Sequence, residues 1–253
     1  MLNYFLFKKE HFKVIIFSIL VILLLDIVGF LFFDNPLAIK MVRLVSEKNI
    51  PSLFSALQLM LSGSLLYLIY DQFKKRNVDR SVSGFWKFLS VIFYILAFDE
   101  WFTIHDTLGK LFSDSMGGIG DLFGWTLLYM ILMPLFLLGS IRFLLALPKS
   151  TALGFIASGI IFVFGAIGLE LLNKGEFQLF LNLHVSSIGA YLIVFFEEFF
   201  EIIGIFLFNV FVFTYGQKYL NLNVFSLPRR WYLGAFLFGI LDIVITAIVQ
   251  FSV

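Results

Sequence analysis

The sequence predicts an all-α, polytopic membrane protein, a bundle of about seven transmembrane helices with a cytoplasmic N-terminus and an extracytoplasmic C-terminus. Three observations lead there. Hydrophobic residues make up 60% of the chain and charged residues 14%, with a mean hydropathy of +0.99; an ordinary soluble domain carries about 25% charged residues. Apolar runs long enough to cross a bilayer recur along the whole chain. Basic residues gather on one side of those runs.

The spans are expected near 12–33, 52–70, 85–107, 122–147, 151–172, 187–214 and 231–252. The first has a basic flank, Lys8 and Lys9, as a signal peptide does. Its apolar run is too long for a signal peptide and no small-x-small cleavage site follows, so it reads as a retained helix. Pro134 should kink the fourth span. Trp86, Trp101, Trp125 and Trp231 fall near span ends, where aromatic belts are expected. Two longer connections remain, 34–51 and 108–121. The first contains LAIKMVRLVSEK and predicts a short amphipathic helix on the membrane surface. The second contains SDSMGGIGD and reads as a mobile glycine-rich loop. Residues 1–253 read as one transmembrane domain, and no internal repeat supports an inverted-repeat transporter.

With the N-terminus inside, 13 of the 18 basic residues lie on the inner side: Lys8, Lys9, Lys13, Lys74, Lys75, Arg76, Arg80, Lys87, Arg142, Lys149, Lys218, Arg229 and Arg230. The net charge of +1 argues against a nucleic-acid partner. The chain has no cysteine, which removes disulfides, thiolate metal sites, iron–sulfur clusters and cysteine nucleophiles. Neither a serine-nucleophile motif nor a phosphate loop occurs.

Function is legible only through misplaced charge. Seven of the 17 acids lie within three spans: Asp99, Glu100 and Asp106 in FDEWFTIHD, Glu170 in FGAIGLELLN, and Glu197, Glu198 and Glu201 in FFEEFFEIIG. An ionised group at a helix centre costs about 2.5–3.5 kcal/mol on insertion scales, so such acids mark function. The predicted orientation brings all three segments to the outer half of the membrane. Glu197 and Glu201 are four apart and Glu198 and Glu201 three apart, which makes one compact patch. Glu100 and His105 are five apart and share a face only if a π-bulge or an early helix end intervenes. Gly165 and Gly168 permit close approach of a neighbouring helix. No Lys or Arg lies within 88–109, 150–173 or 175–217, so His105 and His184 are the internal cations expected. Such a cluster stays dry only if its carboxyls are protonated or a bound cation neutralises them.

The residues expected to bind a divalent metal are Glu100, His105, Asp106, Glu170, Glu197, Glu198 and Glu201, with Asp99 and His184 as further candidates. Carboxylates with one or two histidines suit zinc, iron or manganese, although no Glu-x-x-His or His-Glu-x-x-His motif is present. Three alternatives stay open. The same carboxylates would serve a proton or cation transporter or channel. They would also serve a membrane-embedded metalloenzyme acting on a lipid or outer-leaflet substrate. They would equally form a purely structural polar network. Whether the protein is an enzyme is left undecided, and no catalytic residue is named. Asp26 and Asp242 read as satisfied helix–helix hydrogen-bonding groups. The expected partners are the lipid bilayer and a metal ion or proton.

The motifs LAFDEWFTIHDTLG, IFVFGAIGLELL and FEEFFEIIG resemble a group of uncharacterised bacterial multi-pass membrane proteins with the pattern Asp-Glu-x4-His-Glu, Gly-x-Glu and Glu-Glu-x2-Glu-x2-Gly. The resemblance covers about 85–215. It implies a bacterial inner-membrane location and one functional unit made of the three acidic segments, and it supplies no activity. Asp106 stands where the group has Glu, one methylene shorter. Seven-helix zinc hydrolases of the ceramidase and adiponectin-receptor type are similar in helix number only, since their His-x3-His pair is missing here.

Overall fold

The computed structural model describes residues 4–33, 35–44, 46, 48–77, 80–174, 177–178 and 183–251. The chain is all-α apart from one short ribbon. The helices are α1 (His11–Phe32), α2 (Pro36–Val42), α3 (Ile50–Lys75), α4 (Arg80–Phe102), α5 (Ile104–Met116), α6 (Gly118–Phe123), α7 (Thr126–Ala146), α8 (Lys149–Val163), α9 (Glu170–Asn173), α10 (Ser187–Leu220) and α11 (Arg229–Phe251). A π-helical segment, Phe164–Leu169, joins α8 to α9. Strands β1 (Tyr4–Phe7) and β2 (Phe225–Pro228) pair antiparallel, Tyr4 opposite Pro228 and Phe7 opposite Phe225. The sequence reading contains no strand. Four residues on each side give too little alternation to show, and their pairing spans the length of the chain.

Among the described residues, four helical stretches are long and apolar enough to cross a membrane: α1, α3, α7 and the run Lys149–Asn173. A fifth is obtained if Ser83–Phe102 and Ile104–Met116 count together, a pair bent by 75°. Helices α10 and α11, of 34 and 23 residues, stand where the sixth and seventh spans are expected. Helix α7 continues through Pro134.

The chain divides into two compact units, residues 1–102 with 209–253, and residues 103–208. The first is organised around α3. Asn49 caps it, its side chain accepting a hydrogen bond from the Ser52 amide at 3.0 Å, and Pro51 occupies the first turn. Leu65, Leu66 and Ile69 are fully buried. At the same depth of burial α3 carries Ser52, Ser55, Gln58 and Ser62. The Ser62 hydroxyl donates to Asn209 Oδ1 at 2.9 Å, and Asn209 Nδ2 donates to the Gln58 carbonyl at 3.2 Å. Small hydroxyl residues let α3 and its neighbours approach closely and bond across helices. Phe7, Phe12 and Phe213 meet edge to face, and Phe225 packs tilted on Phe213, a cluster that ties the ribbon to α1 and the end of α10.

Two of the expected belt tryptophans are core instead. Trp86 is fully buried and stacks on Tyr215 at 4.9 Å, and Trp101 packs with Leu53, Ala56 and Ile243. Trp231, 67% exposed, keeps the surface position expected of it. The predicted surface helix over 37–48 is shorter, ending at Val42, because the turn after it is drawn onto α1. Asp26, 1% exposed, accepts from Arg43 Nε at 3.0 Å and from the Leu44 amide at 2.8 Å. Asp26 is thus a satisfied group, and its partner is a turn rather than another span.

In the second unit the expected mobile loop 108–121 is helical, formed by α5 and α6. None of α5 is buried, and its apolar side chains Ile104, Leu108, Leu111 and Phe112 recur at helical spacing. That is the pattern of a helix lying in an interface, and it outweighs the glycines. Helices α8 and α10 run antiparallel. Phe155 meets Phe208, Phe162 meets Gly204, and Phe164 meets Phe200.

Candidate functional site

The second unit brings two of the three acidic segments together. On α10, Glu197 is 8% exposed, and Glu198 and Glu201 are half-buried. The π-helical segment packs directly on this turn. A Cβ added to Gly165 would stand 2.7 Å from the Glu197 carbonyl oxygen and 3.1 Å from Glu201 Cγ. Only a residue without a side chain lets the two backbones come this close. Gly204, one turn further along α10, makes the matching contact, its built Cβ falling 2.8 Å from the Phe162 amide nitrogen. At Gly168, singled out with Gly165 from sequence, the nearest neighbour of a built Cβ is the Phe164 ring of its own segment, at 3.3 Å.

Glu170 begins α9 directly after the π-helical segment. Insertion of a π-turn rotates every later residue relative to a regular helix, and such turns concentrate at functional sites. Of the two breaks expected between Glu100 and His105, a π-bulge or an early helix end, the π-turn lies elsewhere, before Glu170. Between Glu100 and His105 helix α4 ends early, the second of those alternatives, and Thr103 follows with φ 51° and ψ 44°. A β-branched residue in this left-handed region is strained, at roughly 1–3 kcal/mol.

Glu170 has a cation that the sequence reading left out. Lys174 Nζ lies 3.6 Å from Glu170 Oε1, and both side chains are under 20% exposed. Lys174 also donates to the Phe123 carbonyl at 3.0 Å, which fixes the end of α6 to this helix. The expectation that histidines alone would balance the acids is corrected here. Lys174 follows the apolar run directly, and its i, i+4 spacing from Glu170 was the available signal.

His105 packs its ring against Trp125 at 5.1 Å, and its Nε2 stands 3.8 Å from Asp106 Oδ1, outside hydrogen-bonding distance. Asp106 is 49% exposed. Asp99 and Glu100 are half-buried near the end of α4, in the first unit. His184 is exposed before α10, and Asp242 is half-buried on α11.

Metal binding requires several donors converging at about 2.0–2.2 Å on one point. Among the described residues, no group of three His, Asp or Glu side chains is so arranged. The second unit therefore offers a carboxylate-rich helix contact rather than a preassembled coordination sphere.

One further residue escaped the sequence reading. The Gln58 carboxamide, in the first unit, is buried, and neither its nitrogen nor its oxygen meets a hydrogen-bond partner among the described residues. A glutamine within an apolar run gives no sign of where its partners lie.

Neither a curated protein nor a solved structure matches the chain. The profile of one family does, over residues 14–215, a range that includes all three acidic segments. With most of its length matched, the chain belongs to the family described as Domain of unknown function (DUF8692).

Proposed function

We propose that this is a seven-span protein of the bacterial inner membrane, with its N-terminus in the cytoplasm, whose acidic segments form a cation-binding site in the outer half of the bilayer. Within the second unit the binding groups are Glu170, Glu197, Glu198 and Glu201, with His105 and Asp106 as further donors. The cation is divalent, of the zinc, iron or manganese class that carboxylates with histidine select. One observation supports this most: the direct contact of Gly165 with the Glu197–Glu201 turn. This helix contact, with no intervening side chain, gathers three carboxyl groups on one turn of α10. Carboxyl groups so close together favour a shared cation or shared protons. Since the donors do not converge at rest, binding includes side-chain reorganisation, and the cation exchanges with the medium.

A second reading, a proton-carrying site, draws on the Glu170–Lys174 pair. A lysine already held by the carboxylate competes with a metal and is compatible with proton exchange.

Elemental analysis separates the two. Protein purified in detergent without chelator is compared with the variant Glu198→Gln/Glu201→Gln. Near-stoichiometric transition metal in the wild type, lost in the variant, is the expected result. Metal-free wild type that conducts protons in liposomes, with conduction lost in the variant, replaces the metal reading with the proton one.

A further inference from the structure

The β1–β2 ribbon joins two distant stretches of sequence into one surface that is basic around an apolar cavity. The cavity, of about 390 Å³, lies in the first unit and is walled by Phe5 and Leu227 from the ribbon, Val14 from α1, and Phe54, Leu57 and Leu61 from α3. Its volume falls within the range of about 300–1,000 Å³ typical of small-molecule pockets. Phe5 and Leu227 are direct cross-strand partners. The ribbon runs straight into positive charge at both ends. Lys8 and Lys9 follow β1, and Arg229 and Arg230 follow β2. Because the strands are antiparallel, these two pairs bracket the Phe5–Leu227 pair, their nearest members, Lys8 and Arg229, roughly 17 Å apart along the ribbon at 3.4 Å per residue. Lys13 stands on the first turn of α1, and all five basic side chains are exposed. Glu10 is the single acid in these two stretches, 4–14 and 225–232.

We infer that this surface binds one anionic phospholipid, its acyl chain in the cavity and its phosphate against the basic pairs. An apolar cavity beside the lipid-facing side of α1, where Phe17 and Leu20 are 67% and 60% exposed, is filled from the bilayer rather than from water. Ser18, Gln58 and Tyr232 are the polar members of an otherwise apolar lining that holds no charged residue, so the buried part of the ligand is mainly hydrocarbon. The basic side chains have long apolar stems that lie along such a wall while the charged heads meet the headgroup. Basic clusters at the end of a membrane helix favour anionic lipid, and basic pockets between helices hold phosphate headgroups. The occupant is thus a molecule with both parts, and neither a zwitterionic lipid nor free phosphate satisfies the whole surface.

Native mass spectrometry on protein released from nanodiscs tests this in three arms: phosphatidylglycerol, phosphatidylcholine, and phosphatidylglycerol with inorganic phosphate in the buffer. The expected result is severalfold greater retention of one phosphatidylglycerol than of phosphatidylcholine, with no effect of phosphate. The variant Lys8→Gln/Lys9→Gln/Arg229→Gln/Arg230→Gln should lose that preference. The variant Ser18→Phe, which fills the cavity from α1 without touching a charge, should lose the retained lipid while keeping its helical circular dichroism. Equal retention of the two lipids by the wild type overturns the proposal. So does lipid retention unchanged by Ser18→Phe, and so does displacement of phosphatidylglycerol by phosphate alone. If the fourfold variant fails to fold, the wild-type lipid comparison and Ser18→Phe decide.

Discussion

Gly165 stands against Glu201 with no room for a side chain, a built Cβ falling 3.1 Å from Glu201 Cγ and closer still to the Glu197 carbonyl. The substitution Gly165→Ala must push the π-helical segment away from α10. Overpacking of this kind costs about 1–3 kcal/mol. Gly204→Ala meets backbone in the same helix pair and should cost a similar amount. If the acids at this contact bind a cation, Gly165→Ala also lowers metal content and Gly204→Ala lowers it less. Thermal unfolding and elemental analysis on both variants check this. Equal metal loss in the two would detach the binding from the Gly165 contact.

Lys174 competes with any cation for Glu170. Lys174→Met should therefore raise cation affinity severalfold in a manganese titration, while lowering stability through the lost bond to the Phe123 carbonyl, by about 1 kcal/mol. Unchanged affinity would remove Glu170 from the ligand set.

Asp26 is 1% exposed and bonded to both Arg43 and the Leu44 amide. Asp26→Ala leaves Arg43 without its carboxylate. Removing one partner of a buried pair costs about 3–5 kcal/mol, and the lower end applies because Arg43 remains 16% exposed. Asp26→Asn keeps an acceptor for the Leu44 amide and should cost less. A neutral effect of Asp26→Ala in thermal unfolding would rule out this anchoring role.

Gln58 gives the opposite sign. A buried amide without partners costs about 1–3 kcal/mol. Gln58→Leu replaces it with an apolar group of similar size, so the variant should melt at a higher temperature than the wild type. A lower melting temperature would mean that the carboxamide is satisfied in the membrane.

Thr103 holds a left-handed conformation where α4 ends. Thr103→Gly should stabilise by about 1 kcal/mol through relief of that strain, since glycine enters this region without steric penalty. A destabilised Thr103→Gly variant would show that contacts of the threonine side chain outweigh the strain.

The long apolar helices and their order were legible in the sequence alone, and α1, α3, α7, α8, α10 and α11 begin within a few residues of the predicted spans, whereas α5 and α6 were not expected. Hydropathy is a sum over neighbouring residues, so a span is visible without knowing its surroundings. The rarity of acids in apolar helices is also local, and it drew attention to Glu170, Glu197, Glu198 and Glu201 before any fold was known. The tertiary structure decided what each of these groups touches. That Lys174 faces Glu170 was hinted at by spacing, but the packing of Gly165 on Glu201, the lack of a partner for Gln58 and the pairing of Phe5 with Leu227 depend on residues 36 to more than 200 positions apart. The burial of Trp86 and Trp101 belongs to the same class, because composition puts a tryptophan near a span end without saying which side it faces. Contacts of that range are set by helix packing and backbone approach, which a linear pattern of hydropathy and charge does not encode.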